Sequence, residues 1–179
     1  MFNLKKLAFG AALLAASAVC FAAPKVEIVT SEGNIVVNLN EKAAPTTVAN
    51  FVKYANEGFY NGTIFHRVIN NFMIQGGGFD RNLHQKSTHA PIKLEDKNGL
   101  KNTVGTIAMA RTNNPDSATS QFFINLKDND FLNGTSTKDG YAVFGEVVSG
   151  MDVVRKIGRA PTGSKGFMDD VPVRPVIIE

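Results

Sequence analysis

The stretch from residue 65 to residue 78, FHRVINNFMIQGGG, places a single arginine, Arg67, inside a run of apolar residues. The apolar segments on either side of Asn70 and Asn71 are typical of two short strands, and asparagine favours the turn between them. The sequence therefore predicts a β-hairpin. Two interpretations of Arg67 are open: its guanidinium reaches solvent while its stem lies on apolar surface, or it faces a ligand in an apolar, concave site with Gln75 as a second polar group.

The N-terminal segment, residues 1–22, has the pattern of a secretory signal peptide. Lys5 and Lys6 precede an apolar run over residues 7–21, and small residues follow. The run is too short and too rich in alanine to favour a membrane span. We therefore expect export of the mature protein to a compartment outside the cytoplasm.

Cleavage is expected after Ala22, which leaves residues 23–179 as one mature domain without membrane contact. The alternative is a lipoprotein signal with lipid attached to Cys20. Residues 17–19 fit that alternative poorly, because the residue before a lipidated cysteine is usually small. Cys20 is the only cysteine, so the mature domain is expected to have neither a disulfide nor a thiol nucleophile.

The charge of the mature domain is nearly balanced. Removal of the signal segment removes two lysines and leaves 17 basic residues against 16 acidic ones, a formal net charge of +1. The aromatic residues lie within apolar runs and are not interleaved with lysine or arginine, so we expect no nucleic-acid partner. The remaining 157 residues suit one domain with a substantial core.

Short alternating or apolar segments bounded by turn residues predict further strands. They cover residues 25–30, 34–39, 105–110, 121–126, 142–147 and 176–178. Many short strands with few helices favour an antiparallel barrel or sandwich over a parallel βαβ array. The polar stretch 79–102 has little periodicity and is expected to be a long loop. A second loop is expected in the glycine-rich and proline-rich segment before residue 176.

Two helices are predicted. Pro45 can occupy the first turn of a helix that runs to Glu57, because apolar residues follow it at helical spacing. Ser149 and Asp152 have the spacing of an acidic capping box at the start of the second helix. Gly158 can end that helix.

Several kinds of catalytic site are not indicated by the sequence. It contains no GxSxG, GxxxxGK[ST], GxGxxG or HExxH pattern. The three histidines, His66, His84 and His89, lack an obvious zinc spacing. We therefore expect neither a metal nor another cofactor. What the sequence does predict is an apolar groove with an arginine and no evident nucleophile.

Four segments in order, FHRVINNFMIQGGG, GTIAMAR, SATSQFFINL and YAVFGEV, resemble the motifs of the cyclophilin family of peptidylprolyl cis-trans isomerases. The resemblance covers essentially all of the mature chain and is closest to bacterial secreted cyclophilins. It implies a closed eight-stranded antiparallel β-barrel capped by two α-helices. It also implies a cofactor-independent, monomeric enzyme that isomerises X-Pro bonds in exported polypeptides of a Gram-negative periplasm and so assists their folding.

The resemblance also implies the roles of individual residues. Arg67 matches the catalytic arginine, and Phe72 and Gln75 complete the predicted catalytic set. The residues that match substrate-binding positions are Met73, Ala110, Arg111, Gln121, Phe123, Phe131, Leu132 and Tyr141. Ala110 and Arg111 match the positions that contact the residue before proline, although many relatives have asparagine at the second of these.

Two residues depart from the best-known eukaryotic pattern: Phe131 stands where many members have tryptophan, and Tyr141 where they have histidine. Family members bind the cyclic peptide cyclosporin across the groove, and phenylalanine lacks the indole N–H of tryptophan. We therefore expect weak cyclosporin binding. The main alternative function is a binding module or chaperone that holds proline-containing segments without catalysis. A secreted hydrolase is disfavoured because the sequence shows no nucleophile constellation.

Overall fold

The computed structural model describes residues 22–179, and most of the predicted signal peptide, including Cys20, lies outside the described residues. The described chain is mainly β. Its elements, in chain order, are β1 (Lys25–Thr30), β2 (Gly33–Leu39), α1 (Pro45–Asn56), β3 (Arg67–Ile69), β4 (Met73–Gly76), β5 (Thr106–Met109), β6 (Phe122–Asn125), a 3₁₀ helix (Asp130–Leu132), β7 (Val143–Ser149), α2 (Met151–Gly158), β8 (Thr162–Lys165) and β9 (Met168–Pro172). No helix within these residues combines the length and hydropathy that a membrane span requires.

Within residues 22–179, seven strands form one antiparallel sheet in the order β1-β2-β7-β5-β6-β4-β3. The mainly β fold with two helices is confirmed, but the closed eight-stranded barrel is not shown, since β1 and β3 lie at the two edges of this sheet. The predicted closing strand over residues 176–178 forms only single bridges, Ile178 with Thr30 and Ile177 with Ile64. The C-terminal residues thus contact both edge regions without a continuous ladder to either.

Side-chain alternation along the central strands separates two apolar clusters. In β4, Ile74 packs into the main core while Met73 packs into a smaller cluster; in β6, Phe122 and Phe123 divide in the same way. The main core also contains apolar residues of both helices. Its aromatic centre is Phe51 of α1, whose ring lies 5.2 to 5.5 Å from the rings of three neighbours, Tyr60, Phe122 and Phe144. The smaller cluster therefore lies on the other face of the sheet, where it can form the floor of a site.

The start of each helix differs from what local sequence suggests. No side chain at Ala44 caps α1; instead Glu95, 48 residues away, accepts the backbone N–H of Thr47 at 2.7 Å. The capping box predicted at Ser149 and Asp152 is wrong, because Ser149 belongs to β7 and the N-cap is Gly150, without a side-chain cap.

Close packing explains the glycine at the start of α2. Gly150 has a φ of +84°, and a Cβ at this position would lie 2.2 Å from the backbone oxygen of Asn34. Only glycine tolerates both conditions. The close approach of Gly150 to Asn34 of β2 therefore determines the backbone conformation at the junction of β7 and α2.

The loop predicted before residue 176 contains a short hairpin, in which β8 pairs with β9 in a separate two-stranded sheet. The sequence of β8, TGSK, shows no apolar alternation, and three of its four residues are exposed. Backbone pairing and polar side-chain contacts hold this hairpin; Nζ of Lys165, for example, donates to the backbone oxygen of Pro172 at 3.1 Å. Hydrophobic periodicity in β8 therefore could not reveal it. The polar stretch 79–102 is irregular as predicted, with single bridges such as Ile92 to Ala118.

Candidate active site

The smaller apolar cluster forms the floor of a cavity of about 220 Å³. Met73, Phe123 and Leu132 of this floor are buried. The residues that line the cavity are Arg67, Phe72, Met73, Gln75, Ala110, Arg111, Phe123, Leu132 and Tyr141. The fold thus brings together nine of the eleven residues that sequence reasoning proposed for the site.

Arg67 lies on β3 and is exposed, yet its side chain lines the cavity. None of the ion pairs formed among residues 22–179 involves Arg67. Its charge therefore remains available to a ligand over the apolar floor. This arrangement favours the interpretation in which the guanidinium faces a site, because a purely structural arginine would not need to border a cavity.

Gln121 is placed beside the cavity instead of lining it. Its side-chain oxygen accepts a hydrogen bond from Nε2 of Gln75 at 3.0 Å, so that it holds the amide of a residue that does line the cavity. Gly78 makes room for it: a Cβ at this position would lie 2.5 Å from Cγ of Gln121. A close contact with this side chain therefore accounts for the glycine at position 78.

Phe131 lies at the rim and does not line the cavity. Its side chain is 59% exposed, and its ring centroid is 5.7 Å from that of Phe72. The 3₁₀ helix that carries both Phe131 and Leu132 turns one residue outward and the other inward. Phe131 can therefore extend the apolar surface beyond the cavity but does not form its wall.

Arg111 and Tyr141, which both line the cavity, form a stacked pair. The guanidinium carbon of Arg111 lies 4.5 Å from the centroid of the Tyr141 ring, a cation–π contact. The Tyr141 ring in turn meets Phe123 edge-on, with centroids 5.8 Å apart. The three side chains therefore support one another around the cavity.

Sequence reasoning missed a buried network of three asparagine side chains beneath the walls. Nδ2 of Asn129 donates to the backbone oxygen of Phe72 at 3.0 Å and to Oδ1 of Asn125 at 2.8 Å. Nδ2 of Asn125 donates to Oδ1 of Asn102 at 3.1 Å. Because buried amides need partners, the single polar residue of the apolar FFIN strand, Asn125, was the available signal.

The same network reaches two further residues that line the cavity, Leu132 and Tyr141. Nδ2 of Asn102 donates to the backbone oxygens of Leu132 at 3.2 Å and Tyr141 at 3.3 Å. Phe72, Leu132 and Tyr141 are thus tied to one hydrogen-bonded centre although they are distant in sequence. This centre fixes the spacing of the cavity walls.

His66, next to Arg67, is buried and faces away from solvent. Its ring lies 4.6 Å from that of Phe79, and its Nδ1 has no hydrogen-bond partner. Burial, together with the positive charge of Arg67, lowers the pKa of His66 from its usual 6.5 to about 4. The imidazole is therefore neutral at pH 7. Among residues 22–179, no three His, Cys, Asp or Glu side chains form a group that could hold a metal ion.

A larger cavity of about 690 Å³, bordered by Pro24 and Leu100, contains none of the predicted site residues. Size alone does not identify a site. We assign the candidate active site to the smaller cavity because it combines an apolar floor with two guanidinium groups.

Comparisons with known proteins show which family the chain is similar to. Residues 25–179 match the family model described as cyclophilin type peptidyl-prolyl cis-trans isomerase/CLD. The chain is 57% identical to a peptidyl-prolyl cis-trans isomerase of Acinetobacter baylyi over 175 residues, which cover 98% of this chain and 93% of that protein. It is 61% identical to peptidyl-prolyl cis-trans isomerase B of Escherichia coli over 153 residues, 84% of this chain and 93% of that protein.

Among solved structures, the fold is similar to a cyclophilin type peptidyl-prolyl cis-trans isomerase of Cryptosporidium parvum, crystallised in the presence of the dipeptide Ala-Pro. The TM-score is 0.72 at 27% identity, and the match covers 87% of this chain and 95% of that one. The family match extends over every strand and helix described above. The chain therefore belongs to the cyclophilin-type peptidyl-prolyl cis-trans isomerase family.

Proposed function

We propose that this protein catalyses the cis-trans isomerisation of X-Pro peptide bonds in exported polypeptides and thereby assists their folding. Family membership supports the reaction. The observation that carries the proposal for these residues is that the exposed guanidinium of Arg67 borders the same cavity as the buried apolar floor. A proline ring can lie on that floor while the adjacent peptide bond lies within reach of the arginine.

The reaction requires rotation without breaking a covalent bond. Amide resonance opposes rotation with a barrier of about 18 to 20 kcal/mol, so uncatalysed X-Pro isomerisation takes tens to hundreds of seconds. A group lowers this barrier if it binds the twisted amide more strongly than either planar isomer. The protein therefore needs to hold the proline ring and to stabilise the peptide group as conjugation is lost.

The residues of the cavity suit these two tasks. Phe72, Met73 and Phe123 hold the proline ring by apolar contact. Arg67 donates hydrogen bonds to the substrate as the amide twists, which favours the loss of conjugation. Gln75, oriented by its hydrogen bond to Gln121, supplies a second donor beside the arginine.

The test is an isomerisation assay on a short X-Pro peptide with purified residues 23–179. Protein at a small fraction of the peptide concentration should accelerate exchange without changing the cis/trans ratio. A module that only binds proline segments would instead shift the ratio in proportion to its own concentration. We expect the activity to survive exhaustive chelation; loss of activity that zinc or calcium restores would contradict the mechanism.

We also propose that the mature protein acts in the periplasm. The supporting pattern is Lys5 and Lys6 before the apolar run of residues 7–21, followed by Ala22. Mass spectrometry of the native protein should find an N-terminus at Ala23 in the periplasmic fraction. An intact Met1 on a cytoplasmic protein would refute this proposal.

We further propose that the mature domain acts as a monomer, because residues of one chain supply both the floor and the walls of the cavity. Light scattering during size-exclusion chromatography should give the mass of a single chain at the concentrations used for the assay. A dimer mass that persists on dilution would contradict this expectation.

A further inference from the structure

Arg111 supplies the cavity with a second guanidinium, and three backbone carbonyl groups fix its position. Nε donates to the backbone oxygen of Gly140 at 3.0 Å, Nη1 to that of Thr112 at 2.9 Å and Nη2 to that of Asp139 at 3.3 Å. One face of the group stacks on Tyr141. A guanidinium has five N–H donors, and no acceptor among residues 22–179 takes the remaining two.

The charge of Arg111 is not neutralised by these contacts, because its acceptors are backbone carbonyls. The nearby carboxylates are engaged elsewhere: Asp139 pairs with Lys97 at 3.2 Å, and Asp96 accepts the backbone N–H of Gly140 at 2.7 Å. The residues that line the cavity include no aspartate or glutamate. The described cavity therefore presents two positive charges and no negative one.

We propose that Arg111 forms an anionic subsite, which binds a carboxylate side chain of the substrate on a residue adjacent to the proline. This inference rests on the proposed function. Arg111 borders the same cavity of about 220 Å³ as the apolar floor, and consecutive Cα atoms are about 3.8 Å apart. An anion that reaches Arg111 while the proline ring lies on the floor must therefore come from a neighbouring residue.

The fixed position of Arg111 makes this subsite effective. A surface arginine usually loses side-chain freedom when it forms an ion pair, which reduces the gain. Here three hydrogen bonds and the stacked tyrosine have already ordered the side chain. The planar fork also matches the geometry of a carboxylate. We expect kcat/KM at low salt to be about two- to fivefold higher for a peptide with Glu next to proline than for its Gln counterpart.

The experiment compares matched peptides in a protease-free isomerisation assay. The peptides carry Glu, Gln or Lys either immediately before or immediately after the proline. At one or both positions, kcat/KM should decrease in the order Glu, Gln, Lys. The difference should shrink as ionic strength rises, because salt screens exposed charges. Equal values for the three peptides at both positions and low salt would overturn the proposal.

Variants of the protein assign the effect to one residue. Arg111→Gln should abolish the Glu-to-Gln preference, and Arg111→Glu should reverse it in favour of Lys. The preference is a ratio within each variant, so a general loss of activity cancels. The matched control is Arg155→Gln, an exposed arginine of α2 outside the cavity, which should keep the wild-type ratio.

The outcomes distinguish this inference from the function on which it rests. If Arg111→Gln kept the preference, the subsite would not be at Arg111. Isomerisation of the Gln peptide without any charge preference would overturn the subsite and leave the proposed function intact. Failure to accelerate any of the peptides would overturn the proposed function itself.

Discussion

Arg67 is the direct cross-strand partner of Gln75 in the β3–β4 ladder, and both side chains line the same cavity. Residues directly opposed in an antiparallel pair project to the same face of the sheet. The hydrogen bond from Gln75 to Gln121 then connects this pair to the segment that leads into β6. The register of the hairpin therefore determines where the guanidinium meets the groove.

Replacement of Arg67 by lysine tests whether charge alone is sufficient. The ammonium group of Arg67→Lys keeps the charge but cannot reproduce the directed donors of a planar guanidinium. We expect turnover to fall by about 10²-fold to 10³-fold, the usual effect of removing one preorganised donor. Arg81→Lys, at an exposed position, is the control. Near-normal turnover in a correctly folded Arg67→Lys protein would remove Arg67 from its proposed role.

The asparagine network predicts an effect on substrate binding. Asn102→Ala leaves the buried carbonyl of Leu132 and the partly buried carbonyl of Tyr141 without their side-chain donor. We expect the free energy of unfolding to fall by about 1 to 3 kcal/mol. KM should rise more than kcat falls, because the walls move while Arg67 is untouched.

The measurements are urea unfolding and steady-state kinetics, with Asn113→Ala on an exposed loop as the control. A wild-type KM in the Asn102→Ala protein would show that the network does not position the groove.

His66 predicts a pH dependence of stability. Its folded pKa of about 4 lies below the unfolded value of 6.5, so the unfolded state binds more protons between these two values. The contribution of neutral His66 to stability is therefore present above pH 6.5 and is lost as the pH falls towards 4. By linkage, the loss between pH 7 and pH 5 is about 2 kcal/mol.

Urea unfolding of wild type and His66→Phe at pH 7 and pH 5 measures this loss directly. The substitution should remove this part of the pH dependence, since the buried Nδ1 has no partner to lose. His84→Gln changes an exposed histidine and should leave most of the dependence in place. An equal pH dependence in His66→Phe would contradict the assignment.

The exposed position of Phe131 bears on the expected affinity of the protein for cyclosporin. Tryptophan in its place would add an indole N–H at the rim, whereas phenylalanine has no donor. A lost hydrogen bond costs about 0.5 to 1.5 kcal/mol net. We expect weak inhibition of the native protein by cyclosporin, tighter inhibition of Phe131→Trp, and similar isomerase activity for both, because Phe131 does not line the cavity.

Titration of cyclosporin into the isomerisation assay checks this expectation. Inhibition of the native protein as tight as that of tryptophan-bearing relatives would contradict it. An unchanged inhibition constant in Phe131→Trp would show that another position, such as Tyr141, determines the affinity.

Features encoded by neighbouring residues could be predicted from the sequence. The hairpin around Arg67 formed as expected, because Asn71 adopts the positive φ of 55° that asparagine tolerates in a turn. Apolar spacing after Pro45 placed α1 within one residue of its observed end at Asn56. The order of motifs indicated nine residues that do line one cavity, although their roles in catalysis remain predictions.

Other features depend on contacts between residues far apart in the chain. Glu95 caps α1 through a hydrogen bond from the backbone N–H of Thr47, 48 residues away in the sequence. Asn129 donates to the backbone oxygen of Phe72, 57 residues away. No local pattern predicts such a contact. A glutamate or an asparagine in a loop has the same sequence neighbours whether or not its side chain reaches a residue far along the chain. The closed barrel implied by resemblance likewise depended on long-range pairing, which the C-terminal residues make only as single bridges.

The sequence by itself determined the strands of the main sheet, the two α-helices and the residue types available to the groove, because periodicity and turn chemistry act over a few residues. Only the tertiary structure decided how those residues are used. It turned Leu132 into the cavity and Phe131 out to the rim, and it fixed Arg111 against Tyr141 with its charge unpaired. These outcomes depend on which backbone oxygens and rings come together when the sheet forms, and that is a property of the packed chain.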